Sequence, residues 1–295
     1  MKTLFKTVYN IIPFKREFYS VLKTIWKPKQ SIYRHFHFIG AFKVFVGETK
    51  KFKIKHYGYE IENEIFWAGL INGWEKESIK LWIKLCEKSE IVFDIGANTG
   101  VYSLIAKTVN PDAKVFAFEP VSRVFAKLKE NIMLNNFDII PIEKAVSNSD
   151  GTAIIYDTSS EHTYSVTVNK NLSSPETKVI ETKIVTVTLN TFIRQNHIKK
   201  VDLIKIDVET HEPEVLEGFS NYLIKFKPTL LIEILNNEVG EKVNNIIQGL
   251  GYLYFNIDER GGIRQVDKIT KSDYYNYLLC NSDIATKIGL IKHNG

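Results

Sequence analysis

From Phe14 onward the apolar residues Phe18, Val21, Leu22 and Ile25 recur at helical spacing, while Lys15, Arg16, Lys23 and Lys27 occupy other faces. That pattern predicts an amphipathic basic helix. Alternation through Phe42-Lys43-Val44-Phe45-Val46 and again through Phe52-Lys53-Ile54-Lys55, with Gly47-Glu48-Thr49 between, predicts a short β-hairpin. Between Glu75 and Lys88, Ile79, Trp82, Ile83 and Cys86 share one face of a predicted helix. Ahead of all these, Leu4 to Ile12 is apolar but short, is closed by Pro13 and has no small-residue cleavage pattern after it. It is a poor signal peptide, so export is not expected. No apolar run approaches the ~20 residues a membrane-spanning helix needs.

Beyond residue 90 the pattern changes. Short apolar strands at Ile91 to Ile95, Lys114 to Phe118, Ile139 to Ile142, Val201 to Ile206 and Thr229 to Ile234 alternate with helical stretches, Val121 to Leu134 being the clearest. Buried strands joined by helical crossovers imply an α/β fold, a mostly parallel sheet covered by helices on both faces. From Ala153 to Leu189 the chain alternates as strand with no helical period, which predicts a β-rich insertion able to shape a substrate pocket. The predicted organisation is a basic N-terminal arm over 1–56, an amphipathic helix and a hairpin, followed by one larger domain over 57–295.

Composition changes this picture in two ways. Cys86 and Cys280 are the only cysteines, too few for a disulfide scaffold or a four-thiolate zinc site, which points to a reducing, cytoplasmic setting. The overall charge of +5 is unevenly spread: residues 1–56 hold 13 Lys/Arg against Glu17 and Glu48, a net of +11, which leaves −6 on the rest. Such an arm suits an acidic surface, including peripheral membrane contact through residues 1–30, or packing on an acidic body of the same protein. The net negative body argues against nucleic acid as a partner.

The strongest chemical signal is Val92-Phe93-Asp94-Ile95-Gly96-Ala97-Asn98-Thr99-Gly100-Val101-Tyr102, a strand ending in an acid, then a glycine turn, then a helix. Gly96 and Gly100 allow close approach of backbone to a ligand, although tight strand-to-helix turns need glycine on steric grounds alone. Glu119 ends the next apolar strand, 19 residues after Gly100, where a carboxylate can accept both ribose hydroxyls of a nucleotide cofactor. A nicotinamide enzyme would show G-x-G-x-x-G. Here three residues separate the glycines, and Asp94 would repel a pyrophosphate but can hold cationic or hydroxyl groups. The pattern favours S-adenosylmethionine. A second cluster, Asp207-Val208-Glu209-Thr210-His211-Glu212-Pro213, follows another apolar strand and should face the same crevice as Asp94 and Glu119.

Four segments together resemble the FkbM-type S-adenosylmethionine-dependent methyltransferases: Asp-Ile-Gly-Ala-Asn-Thr-Gly at 94–100, Phe-Ala-Phe-Glu-Pro at 116–120, Leu-Ile-Lys-Ile-Asp-Val-Glu-Thr-His-Glu at 203–212, and Pro-Thr-Leu-Leu-Ile-Glu at 228–233. The resemblance implies a class I methyltransferase (Rossmann-like) fold, a seven-stranded sheet with one antiparallel strand near Tyr274 to Leu279. It also implies O-methylation of a sugar, glycan or related natural-product hydroxyl. Carried over by motif, Asp94, Gly96, Asn98 and Gly100 surround the methionine and ribose, Glu119 binds the ribose, and Glu143 to Ala145 lie by the adenine. Asp207, Glu209 and His211 stand beside the transferred methyl, Asp207 also touching the cofactor.

Two positions depart from the family pattern, Thr210 where glycine is usual and Asn190 where aspartate is frequent. If position 210 takes positive φ, a β-branched residue there is strained by ~1–3 kcal/mol. For the base, His211 is preferred because its ordinary pKa lies near neutrality, with Asp207 orienting it, and a carboxylate is the second choice. Asp207, Glu209, His211 and Glu233 include metal-ligand types, but nothing in their spacing fixes a geometry, and no metal is assigned. Trp67 and Trp74 can stack on a sugar or fill a core, and His162-Thr163-Tyr164-Ser165 can contact an acceptor or form a plain turn. Two competing functions stand beside the enzyme: a non-catalytic cofactor-binding or docking module, and a nicotinamide-dependent oxidoreductase. Acceptor identity and oligomeric state are not legible.

Overall fold

The computed structural model describes residues 13–158 and 179–292, which form two compact units, 1–76 and 77–295. In the first, α1 (Lys15–Ile25) is the basic helix expected from the spacing, followed by the single turn α2 (Gln30–Tyr33). Next come the antiparallel hairpin β1 (Gly40–Val46) and β2 (Lys50–His56), and then α3 (Glu60–Ala68). Alternation puts Phe42, Val44, Val46, Phe52 and Ile54 on the hairpin's buried face. There Phe66 of α3 meets Phe42 and Phe38 edge-on, with ring centroids 5.3 and 4.8 Å away. Trp67 is buried against Tyr19, Tyr33 and Phe36. It is a core residue and not a sugar platform. Residues 57–68, grouped by sequence with the larger domain, thus pack on the hairpin of the arm.

The second unit opens with α4 (Lys76–Cys86) and carries the large sheet. Its strands are β3 (Ile91–Ile95), β4 (Lys114–Phe118), β5 (Ile140–Ile142), β9 (Leu203–Ile206), β10 (Thr229–Glu233), β11 (Leu253–Asp258), β12 (Gly262–Val266) and β13 (Asn276–Cys280). They lie in the order β12-β11-β13-β10-β9-β3-β4-β5. From β5 to β10 every pairing is parallel, while β13 is antiparallel to both its neighbours. This is the α/β architecture of class I methyltransferases, with the antiparallel strand within a residue or two of the expected span. An eighth strand, β12, adds to the expected seven because the chain turns back tightly after Asp258, whose side chain accepts the N–H groups of Arg260 and Gly261.

The central strands are buried on both faces, as unbroken apolar runs require. Phe93, Phe116, Phe118 and Phe192 pack edge to face with centroids 5.0–5.9 Å apart. Helices α5 (Val101–Val109) and α6 (Ser122–Asn135) follow β3 and β4. The predicted insertion forms a separate sheet in which β8 (Val179–Val187) pairs with β7 (Gly151–Thr158) and with β6 (Ala145–Val146). Its Ile155 and Ile184 pack on Val121 and Val124 at the start of α6. Helix α7 (Leu189–Gln195) then leads to β9, and α8 (Glu212–Glu217) leaves it.

The chain steps from β3 outward to β4 and β5, then returns to lay β9 on the other side of β3 and continues to β10. The sheet therefore reverses direction between β3 and β9, where a crevice opens beyond the carboxyl ends of the strands. Phe93 fills the middle of this region with no exposed surface. Phe93→Ala is expected to lower stability by about 3–5 kcal/mol in denaturant unfolding, through lost burial and the cavity left behind.

Candidate active site

Two loops leave the sheet side by side at that crevice. Ile95 pairs with Ile206, and the N–H of Asp207 donates to the Ile95 carbonyl at 3.0 Å. A Cβ on Gly96, whose φ is +80°, would lie 1.8 Å from the Asp207 carbonyl oxygen. Gly100, at φ +93°, would press a Cβ to 2.6 Å from Leu128. Packing within the protein thus accounts for both glycines, and their presence by itself says nothing of a ligand.

The side chains around the turn say more. Asp94 is buried, accepts from the Ser103 hydroxyl at 2.6 Å, and has its carboxyl pKa raised by burial against the lowering pull of Lys205. Glu119 is buried at the end of β4, where it accepts the N–H groups of Asn98 at 3.1 Å and Val121 at 2.9 Å. Burial outweighs those two bonds and lifts its pKa to about 7. Asn98 takes positive φ and leaves its side-chain oxygen buried without a hydrogen-bond partner. Asn131, also buried, donates to the Thr99 carbonyl and fixes the turn from α6. The turn is therefore rigid, and its unused capacity, the Asn98 oxygen and the spare lone pairs of Glu119, can serve a polar ligand.

From its position two roles are open to Asp207, orienting His211 or holding the cationic end of the cofactor. The structure pairs it with Lys205. Lys205, buried in β9, donates to Asp207 at 2.6 Å, and its ammonium lies 4.5 Å from the centre of the Tyr102 ring. Lys205 stands opposite Asp94 in the β3–β9 register, so one buried cation sits between two carboxylates. His211 places Nε2 2.9 Å from the Ser147 hydroxyl and Nδ1 3.5 Å from Glu214. Burial lowers its pKa, against the raising effect of Glu214 and Glu217. Nε2 is thus within hydrogen-bond reach of Ser147, while the Glu214 oxygen facing Nδ1 is buried without a hydrogen-bond partner. Ser147 and Glu214 were not singled out from the sequence; Glu214, at i+3 on the helix that His211 opens, was the legible one.

Glu209 lies in the loop between these groups with positive φ, and burial together with the Asp207 charge raises its pKa to about 7. Glu212 is fully buried, accepts the Val208 N–H at 3.1 Å and leaves its second oxygen without a hydrogen-bond partner. Its pKa rises to about 8, mainly through burial. Thr210 takes φ +79°, the conformation in which a β-branched residue is strained. Glu143 is exposed and accepts from the Ser122 hydroxyl, and Ala145 begins β6 beside the Val121–Val124 cluster. Asn190, second residue of α7, has its N–H on the Gly218 carbonyl and its amide N–H on Ser220, and leaves its side-chain oxygen buried without a hydrogen-bond partner. The 162–165 turn lies outside the described residues. Among the described residues no group of three or more His, Cys, Asp or Glu is placed to hold a metal ion.

The family described as methyltransferase FkbM domain matches residues 94–254, from the acid of the first loop to β11 and over half of the chain. The chain belongs to this FkbM methyltransferase family. The nicotinamide reading falls with that membership. One curated relative is the hexuronic acid methyltransferase AglP of Haloferax volcanii, 31% identical over 152 residues, covering 50% of this chain and 58% of that protein. Another is the 31-O-demethyl-FK506 methyltransferase FkbM of Streptomyces tacrolimicus, 29% identical over 155 residues, covering 44% and 59%. The chain thus spans less than two thirds of either relative. The crystal structure of methyltransferase FkbM from Methylobacillus flagellatus covers 65% of this chain and 43% of its own at 16% identity, with a TM-score of 0.41, too distant to bear on the site.

S-adenosylmethionine is the cofactor this FkbM chain implies, and the site fits it. A buried carboxyl at the end of β4 suits ribose hydroxyls, an unpartnered amide oxygen lies in the glycine turn, and the nearby acids suit a cationic ligand.

Two predictions come from the 207–212 loop. Thr210→Gly is expected to raise stability by about 1 kcal/mol, relief of strain exceeding the extra chain entropy of glycine, read as an upward shift of the thermal midpoint. A carboxyl whose folded pKa lies above its unfolded one binds more protons when folded, so its contribution to stability falls as pH rises from about 5 to about 8. His56, with its pKa lowered by burial to about 4, has the opposite slope below pH 6.5. The difference between wild type and Glu212→Gln therefore isolates the acid. The variant should gain on wild type by up to about 1.4 kcal/mol per pH unit across that window in denaturant titrations.

Proposed function

We propose that this chain is an S-adenosylmethionine-dependent O-methyltransferase acting on a hydroxyl of a sugar, glycan or related small natural product. The observation that carries the reading is Glu119, buried at the sheet's reversal point, with both oxygens held by backbone N–H groups beside the Asn98 turn. Family membership supports methyl transfer. The hexuronic acid and FK506-type substrates named for the two relatives support a hydroxylated small-molecule or glycan acceptor, with no nucleic acid.

S-adenosylmethionine, when bound, supplies an electrophilic methyl group on a sulfonium leaving group. Asp94, Asn98 and the 96–100 backbone would hold its methionine and ribose part, Glu119 would accept its ribose hydroxyls, and Glu143 to Ala145 would lie by the adenine. Asp207 is held in place at the end of β9 by Lys205. Much of the rate of such a transfer comes from aligning the acceptor oxygen, which is the task of the rigid 207–212 loop. The remaining task is to take the hydroxyl proton. Glu209 is our choice of base, because burial and the Asp207 charge raise its pKa to about 7, within the working range, and Nε2 of His211 already lies on Ser147. His211, held by Ser147, positions the loop.

Calorimetry with S-adenosylmethionine, followed by transfer of labelled methyl to uronic acids and other glycosides, tests the reading. Binding and turnover are expected. Binding without turnover on any acceptor would leave the non-catalytic module, and no binding would end both. Glu209→Gln should lower kcat by ~10²–10⁴-fold with donor affinity nearly unchanged, and should remove a rise of kcat/KM with pH centred near 7. The same loss in His211→Ala at unchanged thermal midpoint, with Glu209→Gln still active, would move the base to His211.

A further inference from the structure

Helix α1 is packed the unusual way round. Tyr19 fixes it to the first unit, buried against Phe36, Phe38 and Trp67. The stripe Phe14, Phe18, Val21 and Ile25 faces outward, with 76%, 62%, 65% and 80% of each residue's surface exposed. Trp26, 41% exposed, continues that stripe. Isolated exposed apolar residues are ordinary, but four at helical spacing on one short helix form a patch that needs a partner. The same unit exposes many cations. Lys27, Lys29 and Arg34 are exposed beyond the helix end, and the outer face of the hairpin sets Lys43 directly opposite Lys53 and exposed Phe45 opposite Lys51. Glu17, tied to Arg16, and Glu48 are the only acids in residues 1–56.

We propose that this unit docks on an anionic lipid bilayer, with the α1 stripe in the headgroup–acyl boundary and the exposed Lys and Arg of the unit, Lys27, Lys29 and Arg34 first, on lipid phosphates. The inference is independent of the methyl-transfer reading. A bilayer takes up both halves of the surface, the apolar stripe by burial and the lysines by charge. Nucleic acid would satisfy the lysines but leave aliphatic Val21 and Ile25 in water. Among the described residues no helix is long and apolar enough to cross a membrane, and α1, 11 residues long, is suited to lying in the interface plane.

Sedimentation of the full chain with vesicles tests the proposal. Binding is expected to phosphatidylglycerol–phosphatidylcholine vesicles, weakening as salt is raised, and to be at least ~10-fold weaker to phosphatidylcholine alone. The double substitution Val21→Ser with Ile25→Ser should cut vesicle affinity by ~10-fold or more at an unchanged thermal midpoint, and Lys43→Glu with Lys53→Glu should do the same. Equal affinity for neutral vesicles, full binding by both double variants, or no vesicle binding at all would overturn it. So would tight binding of a DNA duplex in place of vesicles, or a dimer that Val21→Ser with Ile25→Ser dissociates, which would give the stripe to a second copy.

Discussion

The turn after β3 packs backbone to backbone on the turn after β9 at Gly96. Only a residue without a Cβ fits at position 96, since that atom would fall 1.8 Å from the Asp207 carbonyl oxygen. The rest of the site depends on this contact. It brings the Asp94–Asn98 turn and the Asp207–Glu212 loop to one crevice although they are more than 100 residues apart in sequence, and it does so where the sheet reverses direction. Asn131 and Leu128, from α6, hold the far side of the turn. Once the backbones are locked, few alternatives are open to the side chains that ring the crevice.

Charge is the second constraint. Asp94, Glu119, Glu209 and Glu212 all have carboxyl pKa values raised by burial, and Lys205 is the buried cation among them. Such a cluster is costly in the absence of a ligand, since carboxyls taken out of water resist ionising. A positively charged donor offsets that cost and lets the acids ionise. Stability is given up in the ligand-free fold where binding recovers it, a pattern common at functional sites.

Much of this was legible in the chain, because apolar periodicity is a local property that burial later exploits. The strands at 91–95, 114–118 and 229–233, the basic helix after Phe14, the hairpin and the β-rich insertion all lie where their patterns put them. Thr210 was legible too: a β-branched residue in place of a glycine predicted strain, and φ +79° is that strain. Other readings stayed open or failed for physical reasons. Trp67 was open between sugar platform and core because indole serves surface and core alike, and only the packing of Tyr19, Tyr33 and Phe36 assigns it to the core. The eighth strand escaped notice because a single hairpin at a sheet edge leaves a weak alternating signal.

The sequence by itself determined the elements, the family and the identity of the chemical groups, since these rest on spacing and residue type within short windows. It also determined the charge contrast between arm and body. Only the tertiary structure decided which group answers which. Asp207 pairs with Lys205, His211 turns to Ser147, and burial with the Asp207 charge raises the Glu209 pKa to about 7. The reason is that hydrogen-bond partners and burial are set by where strands from distant parts of the chain end together. Spacing along a loop says which groups are present, while the register of β3 against β9 says which of them meet.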